Sequence, residues 1–231
     1  MNTALRLCCL LTLLSVGRSY AAPLRIDFTP RPDWSAWVGT QPTVLKISPC
    51  QVPPTVDGRP DDTAWQTAAQ VKFPTRSSTY PVTDVAICFD AGGLYLLVQC
   101  PEQAGRQRVA PPRDRDGRVY ADDCIELFFD VTGTGSDVYQ FIVSASNSIY
   151  DAHNDDAQGY NPDWEHAVTG DAQGWCAEIS LPVAAFGLST WRPALNFNIG
   201  RNGPGLGDRA WVGAYGDTSA GRLQFEGVTD A

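Results

Sequence analysis

The side chains able to do chemistry are few and scattered. His153 and His166 are the only histidines in the 231 residues, and Met1 is the only methionine. No nucleophile elbow, Ser/His/Asp ordering or phosphate-cradling glycine loop occurs, so acyl and phosphoryl transfer have no visible machinery. Carboxylates are plentiful, with 26 Asp and Glu against 17 Lys and Arg. A glycosidase needs two of them flanking a sugar cleft, but here they fall mostly in turns. An oxygen-rich stretch from Asn147 to Trp164 carries Asp151, His153, Asn154, Asp155, Asp156, Asn161 and Asp163. Calcium takes six to eight oxygen ligands, but this spacing is not that of an EF-hand loop and reads as a solvated polar loop. The cysteines form no Cys-x-x-Cys pair and no Cys/His cluster, which argues against structural zinc.

These residues must be carried by elements, and the chain opens with a segment that is not one of them. Arg6, an apolar block from Leu7 to Leu14, and Tyr20-Ala21-Ala22 read as a secretory signal peptide over residues 1–22. The block is too short to span a bilayer, and no later run approaches the roughly 20 apolar residues a transmembrane helix needs. Export to the periplasm or the exterior is expected, with cleavage near Ala22. Cleavage removes Arg6 and Arg18 and no acid, so the net charge moves from −9 to −11. Such a surface repels phosphate backbones, which argues against nucleic acid. Cys50, Cys88, Cys100, Cys124 and Cys176 remain. An exported chain with five cysteines is expected to form at least one disulfide and at most two, with a connectivity that spacing does not reveal.

From residue 23 to residue 50 prolines alternate with Trp34, Trp37 and the apolar run Val44 to Ile47, which reads as an ordered lead-in lying on the domain. Beyond it, residues 51–231 show apolar/polar alternation in short bursts, the mark of half-buried strands. Val85, Ile87 and Phe89 alternate with Ala86 and Cys88. Leu94 to Cys100 follows, and the Asp90-Ala91-Gly92-Gly93 turn between them is expected to use glycines at positive φ. Further strands are predicted at Cys124 to Phe129, Val138 to Ala145, Trp175 to Leu181, Leu195 to Arg201, Ala210 to Tyr215 and Arg222 to Val228. Only Asp61 to Gln70 and Val183 to Phe186 look helical. Short strands joined by glycine-rich turns predict an all-β, jelly-roll-like antiparallel β-sandwich in one domain.

Several of these segments carry a resemblance. Val56-Asp57-Gly58-Arg59-Pro60-Asp61-Asp62-Thr63-Ala64-Trp65 resembles the opening of family 9 carbohydrate-binding modules and their DOMON-like relatives. Phe89-Asp90 before Leu94-Tyr95, Asp122 to Phe128, and Gly174-Trp175-Cys176-Ala177-Glu178-Ile179 to Pro182 resemble later landmarks of that family in the same order. The resemblance implies a non-catalytic sugar-binding sandwich, a link to polysaccharide breakdown through association with glycoside hydrolases, and bound calcium. It also implies a site. The family's aromatic wall falls on Tyr120 and its hydroxyl-binding glutamate on Glu126. The family's arginine in the next strand falls on Ile142, and its second tryptophan has no counterpart between Gly213 and Gly221, where Tyr215 is the nearest aromatic.

The residues also admit plainer readings. Trp65 and Trp175 sit on apolar faces and are expected in the core. Glu126 and Glu178 point away from the densest apolar face and suit structural hydrogen bonds as well as ligand contact. A domain that has kept the sandwich and lost the sugar site accounts for Ile142. A b-type haem carrier would use methionine with histidine or lysine; Met1 leaves with the signal peptide, so no haem is expected, and a His153/His166 pair is the one formal alternative.

Overall fold

The computed structural model describes residues 42–74, 82–206 and 209–229. The signal-peptide expectation and most of the lead-in lie outside these residues. The described chain forms two sheets packed face to face. The first contains β1 (Val44–Ile47), β12 (Arg222–Phe225), β10 (Ala194–Asn202), β5 (Cys124–Asp130), β6 (Val138–Ser144) and β7 (Ile149–His153) in that order, with the short β11 (Arg209–Ala210) also paired to β10. The second runs β2 (Ala69–Pro74), β3 (Val82–Phe89), β4 (Gly93–Pro101), β9 (Gly174–Pro182) and β8 (Glu165–Asp171). All strand pairings are antiparallel except β1 with β12, where Val44 to Ile47 register with Arg222 to Phe225, and one isolated parallel bridge joins Pro49 to Phe89. This is the antiparallel sandwich that the alternating bursts predict.

The core comes from alternate residues of both sheets. Ile125, Leu127 and Phe129 of β5 and Phe197 and Ile199 of β10 meet Leu94, Leu96 and Val98 of β4 and Trp175, Ala177 and Ile179 of β9. Leu94 to Val98 reads as continuously apolar because β4 is buried on both faces there. Its outward Tyr95 and Leu97 lie under the helical turn α1 (Ala64–Thr67), in a second cluster with Trp65, Ala86, Cys88 and Cys176.

Glu178, fully buried on that outer face, holds the α1 covering in place. One carboxylate oxygen accepts the Trp65 Nε1–H at 2.8 Å, and the other accepts the backbone N–H groups of Asp57 and Gly58 at 2.9 Å. Burial pushes this carboxyl up, against the pull of its donors. Gly58 has φ +81°, and a Cβ there would come within 3.0 Å of Thr169, so both the turn and its close approach to β8 require glycine. Trp65 and Trp175 are core residues, 6% and 1% exposed.

Several local expectations change. Gly92 and Gly93 are not among the positive-φ glycines; the Asp90 carboxylate shapes that turn by accepting both of their N–H groups at 2.8 Å. The helical stretch is only Ala64–Thr67, and Ala69 onward is strand, because pairing with β3 outweighs local propensity. The expected strand Ala210 to Tyr215 stops at Ala210, and residues 211–221 fold back over the sheet. Fully buried Asn198 draws this loop in, its Nδ2 donating to the carbonyls of Val212, Ala214 and Asp217. β7 and β8 lie in or beside the stretch read as a polar loop. All five cysteines from Cys50 to Cys176 are thiols, so the expected disulfide is not formed in this structure. Among the described residues no helix is long and apolar enough to cross a membrane.

Candidate functional site

The outward face of the larger sheet carries the residues assigned from the family pattern. Glu126 projects from the middle of β5, with Ile142 of β6 opposite on one side and Gly200 of β10 on the other. It is 4% exposed, and its Oε2 accepts a hydrogen bond from Gln140 Nε2 at 2.8 Å. The Cys124 thiol, two residues back on the same face, contacts its Oε1 at 3.8 Å. Burial, with the Glu126 charge beside it, keeps that thiol protonated.

Tyr120 sits in the 3-10 turn Val119–Ala121 that feeds β5, and at 43% exposure it is among the few large apolar-bodied side chains open to solvent. Its ring meets the edge of Tyr150, from β7, at a centroid distance of 6.0 Å. Its carbonyl accepts Asn202 Nδ2 at 2.9 Å, which ties the turn to β10. Tyr215 comes from the 211–221 loop and lies over Gly200. A Cβ at Gly200 would stand 2.4 Å from its ring, so only glycine lets the tyrosine settle there. Phe128 supports the ring edge-on at 5.7 Å. Tyr150 is on the β7 side of Glu126 and Gly200 on the β10 side, so the three predicted residues share one face, with an aromatic on either flank of the carboxylate.

The turn bearing Tyr120 is anchored by charge. Residues 102–118 contain no strand or helix, yet Arg106, Arg108, Arg113 and Arg115 reach back to buried acids. Arg106 bonds Glu102 at 2.8 Å and Asp123 at 2.6 Å, Arg113 grips Asp122, and Arg115 meets Asp151 at 2.8 Å. Asp122 and Asp123 immediately follow the turn and are 1% and 0% exposed. Burial strips hydration from Arg106, but its hydrogen bonds to Asp123 and Glu102 outweigh this and raise its pKa. Paired guanidinium and carboxylate groups thus hold Tyr120 at the strand entrance.

Four residues of this face were not foreseen: Gln140, Tyr150, Asn198 and Gly200. Gln140 was within reach, since period-two alternation in the predicted Val138 to Ala145 strand puts it on the face of Ile142. Gly200 and Asn198 depend on how the 211–221 loop folds, which no spacing reveals.

The oxygen-rich stretch commits carboxylates to hydrogen bonds within the protein. Asp151 accepts from Arg115 and from Trp164 Nε1, and Asp156 caps Gly159 N–H. Among the described residues no group of three or more His, Cys, Asp or Glu converges to hold a metal ion. His153 bonds Asp137 and stacks on Tyr139, while His166 bonds Asn147 and packs by Trp164.

An antiparallel sandwich with an exposed ring, two half-buried rings and a carboxylate on one outer sheet face has the build of a ligand-binding module. Residues 56–203 match the carbohydrate family 9 binding domain-like model, and the chain belongs to that family. Two structures of a family 9 carbohydrate-binding module from Caldicellulosiruptor kristjanssonii share the fold. The one with cellotriose has TM-score 0.55 and 15% identity over 81% of this chain and 95% of that one. The one with glucose has TM-score 0.54 and 14% identity over 80% and 98%. A Bacteroides uniformis protein, provisionally named as carbohydrate-binding, gives TM-score 0.63 and 14% identity over 80% of this chain and 99% of that one. At these identities the structures establish the fold alone. No curated protein matches the chain.

Proposed function

We propose that the protein is a non-catalytic carbohydrate-binding module whose sugar site is the outer face around Glu126, flanked by Tyr120 and Tyr215. The observation that carries this reading is an exposed aromatic ring held beside a nearly buried carboxylate. A pyranose presents C–H faces that stack on aromatic rings and a hydroxyl rim that donates to fixed acceptors, so a ring and a carboxylate on one face match its two surfaces. Gln140 orients the Glu126 carboxylate, and the arginine loop and Asn198 orient the rings, so the site is largely formed before ligand arrives. Family membership and the sugars bound by the Caldicellulosiruptor modules support the ligand class. Export, calcium dependence and association with glycoside hydrolases are parts of the same proposal, drawn from the N-terminal segment and the family resemblance.

One observation favours the second reading, a sandwich whose sugar site has been lost. Ile142 is fully buried directly opposite Glu126, where the family pattern has an arginine, and Gln140 already engages one Glu126 oxygen. A glycan array with and without a calcium chelator, followed by calorimetry on the strongest hit, separates the two. Tyr120→Ala is expected to weaken binding by about 1–3 kcal/mol, the range for ring stacking, with the fold intact by circular dichroism. No binding to any glycan leaves the second reading in place, and unchanged affinity in Tyr120→Ala moves the sugar site away from this face.

A further inference from the structure

On the opposite side of the molecule, the covering of the smaller sheet brings two thiols together. Cys50 packs against the outer cluster that contains Cys88, Trp65 and Tyr95. The backbone fixes the approach: Pro49 bridges Phe89 in parallel, and Cys50 N–H donates to the Phe89 carbonyl at 2.7 Å. The two thiols are close enough to influence each other: burial pushes the Cys50 thiol up, and the neighbouring Cys88 partly offsets this.

Among the described residues, Cys100, Cys124 and Cys176 have no such partner. Cys100 and Cys176 lie on neighbouring strands, but Cys100 faces the core between the sheets and Cys176 the outer cluster. Cys88 and Cys176 share the outer face, yet they register with Tyr95 and Gln99 of β4. Those positions are four residues apart, about 13 Å along a strand, beyond the roughly 7 Å between Cα atoms that a disulfide spans. Cys124 is on the other sheet beside Glu126.

We propose that Cys50 and Cys88 are the partners of a redox-controlled disulfide that staples the covering segment to the outer face of the smaller sheet. The oxidant is a disulfide donor of the glutathione or oxidoreductase class. The Cys50 thiolate attacks the donor disulfide, forming a mixed disulfide and releasing one donor thiol. The Cys88 thiolate then attacks the Cys50 sulfur and expels the second. Two protein thiols are oxidised, one donor disulfide is reduced to two thiols, and the two protein protons end on those thiols. Cys50 acts first because it is half-buried while Cys88 is 2% exposed, and burial holds the Cys88 thiol well above its ordinary range. The bond closes the loop from position 50 to position 88, which contains the Asp57-Gly58 turn, α1 and β2. Ahead of β2, which is paired to β3, it restrains a stretch otherwise held by Glu178, the Thr169 hydroxyl and the packing of Trp65.

The full chain, equilibrated with oxidised glutathione and digested with chymotrypsin so that Cys88 and Cys100 separate, tests this by mass spectrometry. The expected result is one linkage, Cys50 to Cys88, absent in Cys50→Ser and in Cys88→Ser. Reduction with dithiothreitol should lower the Tm of the oxidised wild type by on the order of 5–15 °C and leave the Tm of Cys50→Ser unchanged. The half-buried Cys50 site keeps the test usable if Cys88→Ser fails to fold. A linkage between any other pair, glutathione left on Cys50 with Cys88 unlinked, or a fully reduced chain after oxidation overturns the proposal.

Discussion

Glu178→Ala removes an acceptor on which three close donors converge: Trp65 Nε1 at 2.8 Å and the N–H groups of Asp57 and Gly58 at 2.9 Å. Hydrogen bonds to a charged group contribute about 1.5–3 kcal/mol each, and a buried donor left without a partner costs about 1–3 kcal/mol. Part of this is offset, because the variant no longer desolvates a carboxylate, a cost visible in its raised pKa. Water entering the vacated space recovers some of the rest. A net loss of about 3–5 kcal/mol is expected, which at this chain length lowers Tm by on the order of 10 °C. Glu178 and Glu126 sit on outer faces of different sheets, so glycan affinity measured well below the transition should stay within twofold of wild type. Differential scanning calorimetry and isothermal titration calorimetry read the two effects separately. Unchanged Tm with lost glycan binding would refute the reasoning, since it would make Glu178 a ligand contact and not the anchor of the Asp57-Gly58 turn.

Glu126→Gln is expected to weaken glycan binding by about 1.5–3 kcal/mol by calorimetry, the worth of a hydrogen bond to a charged group, with a smaller change in Tm than Glu178→Ala shows. Gly200→Ala places a methyl 2.4 Å from the Tyr215 ring and 2.9 Å from the Arg209 carbonyl; overpacking of this kind costs about 1–3 kcal/mol, and the displaced tyrosine should lower affinity in the same titration. Arg115→Ala leaves fully buried Asp151 with Trp164 as its remaining side-chain donor. A loss of about 1–3 kcal/mol is expected in urea unfolding, below the value for a fully buried pair, because the Arg115 side chain is 36% exposed. The folded-state pKa of His166 is lowered, first by burial and then by the Arg115 charge, so the folded protein resists its protonation. Its contribution to stability is therefore present above the unfolded pKa near 6.5 and lost as pH falls from there through the folded value. Tm measured across that window should slope downward with acidification in wild type and less so in His166→Gln; identical slopes would remove His166 from the account.

The sandwich was legible because half-buried strands write their burial into alternation. Ile125, Leu127 and Phe129 face the core and Glu126 and Phe128 face outward, as their order along the chain requires. Where a strand is covered on both faces, as β4 is by α1, the pattern becomes a continuous apolar run, and only the covering explains it. Strand β8 was invisible for the opposite reason: it is an edge strand, largely exposed or half-buried from Glu165 to Asp171, so burial leaves no alternation to read.

Tyr120 and Glu126 are six residues apart, and that sequence spacing alone allows anything from contact to a fully extended separation of about 20 Å. The 3-10 turn at Val119–Ala121 decides between these, and it depends on arginines up to 36 positions away from the acids they reach, as in Arg115 with Asp151. Long-range ion pairs have no periodic signature, because a guanidinium on a flexible stem can meet a carboxylate from many backbone positions. Tyr215 is farther still from sequence-level inference. Its place over Gly200 rests on Asn198 gathering three carbonyls of a loop 14 to 19 residues downstream, and on the missing side chain at Gly200. The sequence by itself determined most of the core strands, their inward and outward faces and the candidate aromatic and carboxylate, but not β2, β7 or β8. Tertiary structure alone decided that they share one surface, and that Glu178, outwardly so similar to Glu126, is an anchor, because only the folded chain shows which donors each carboxylate meets.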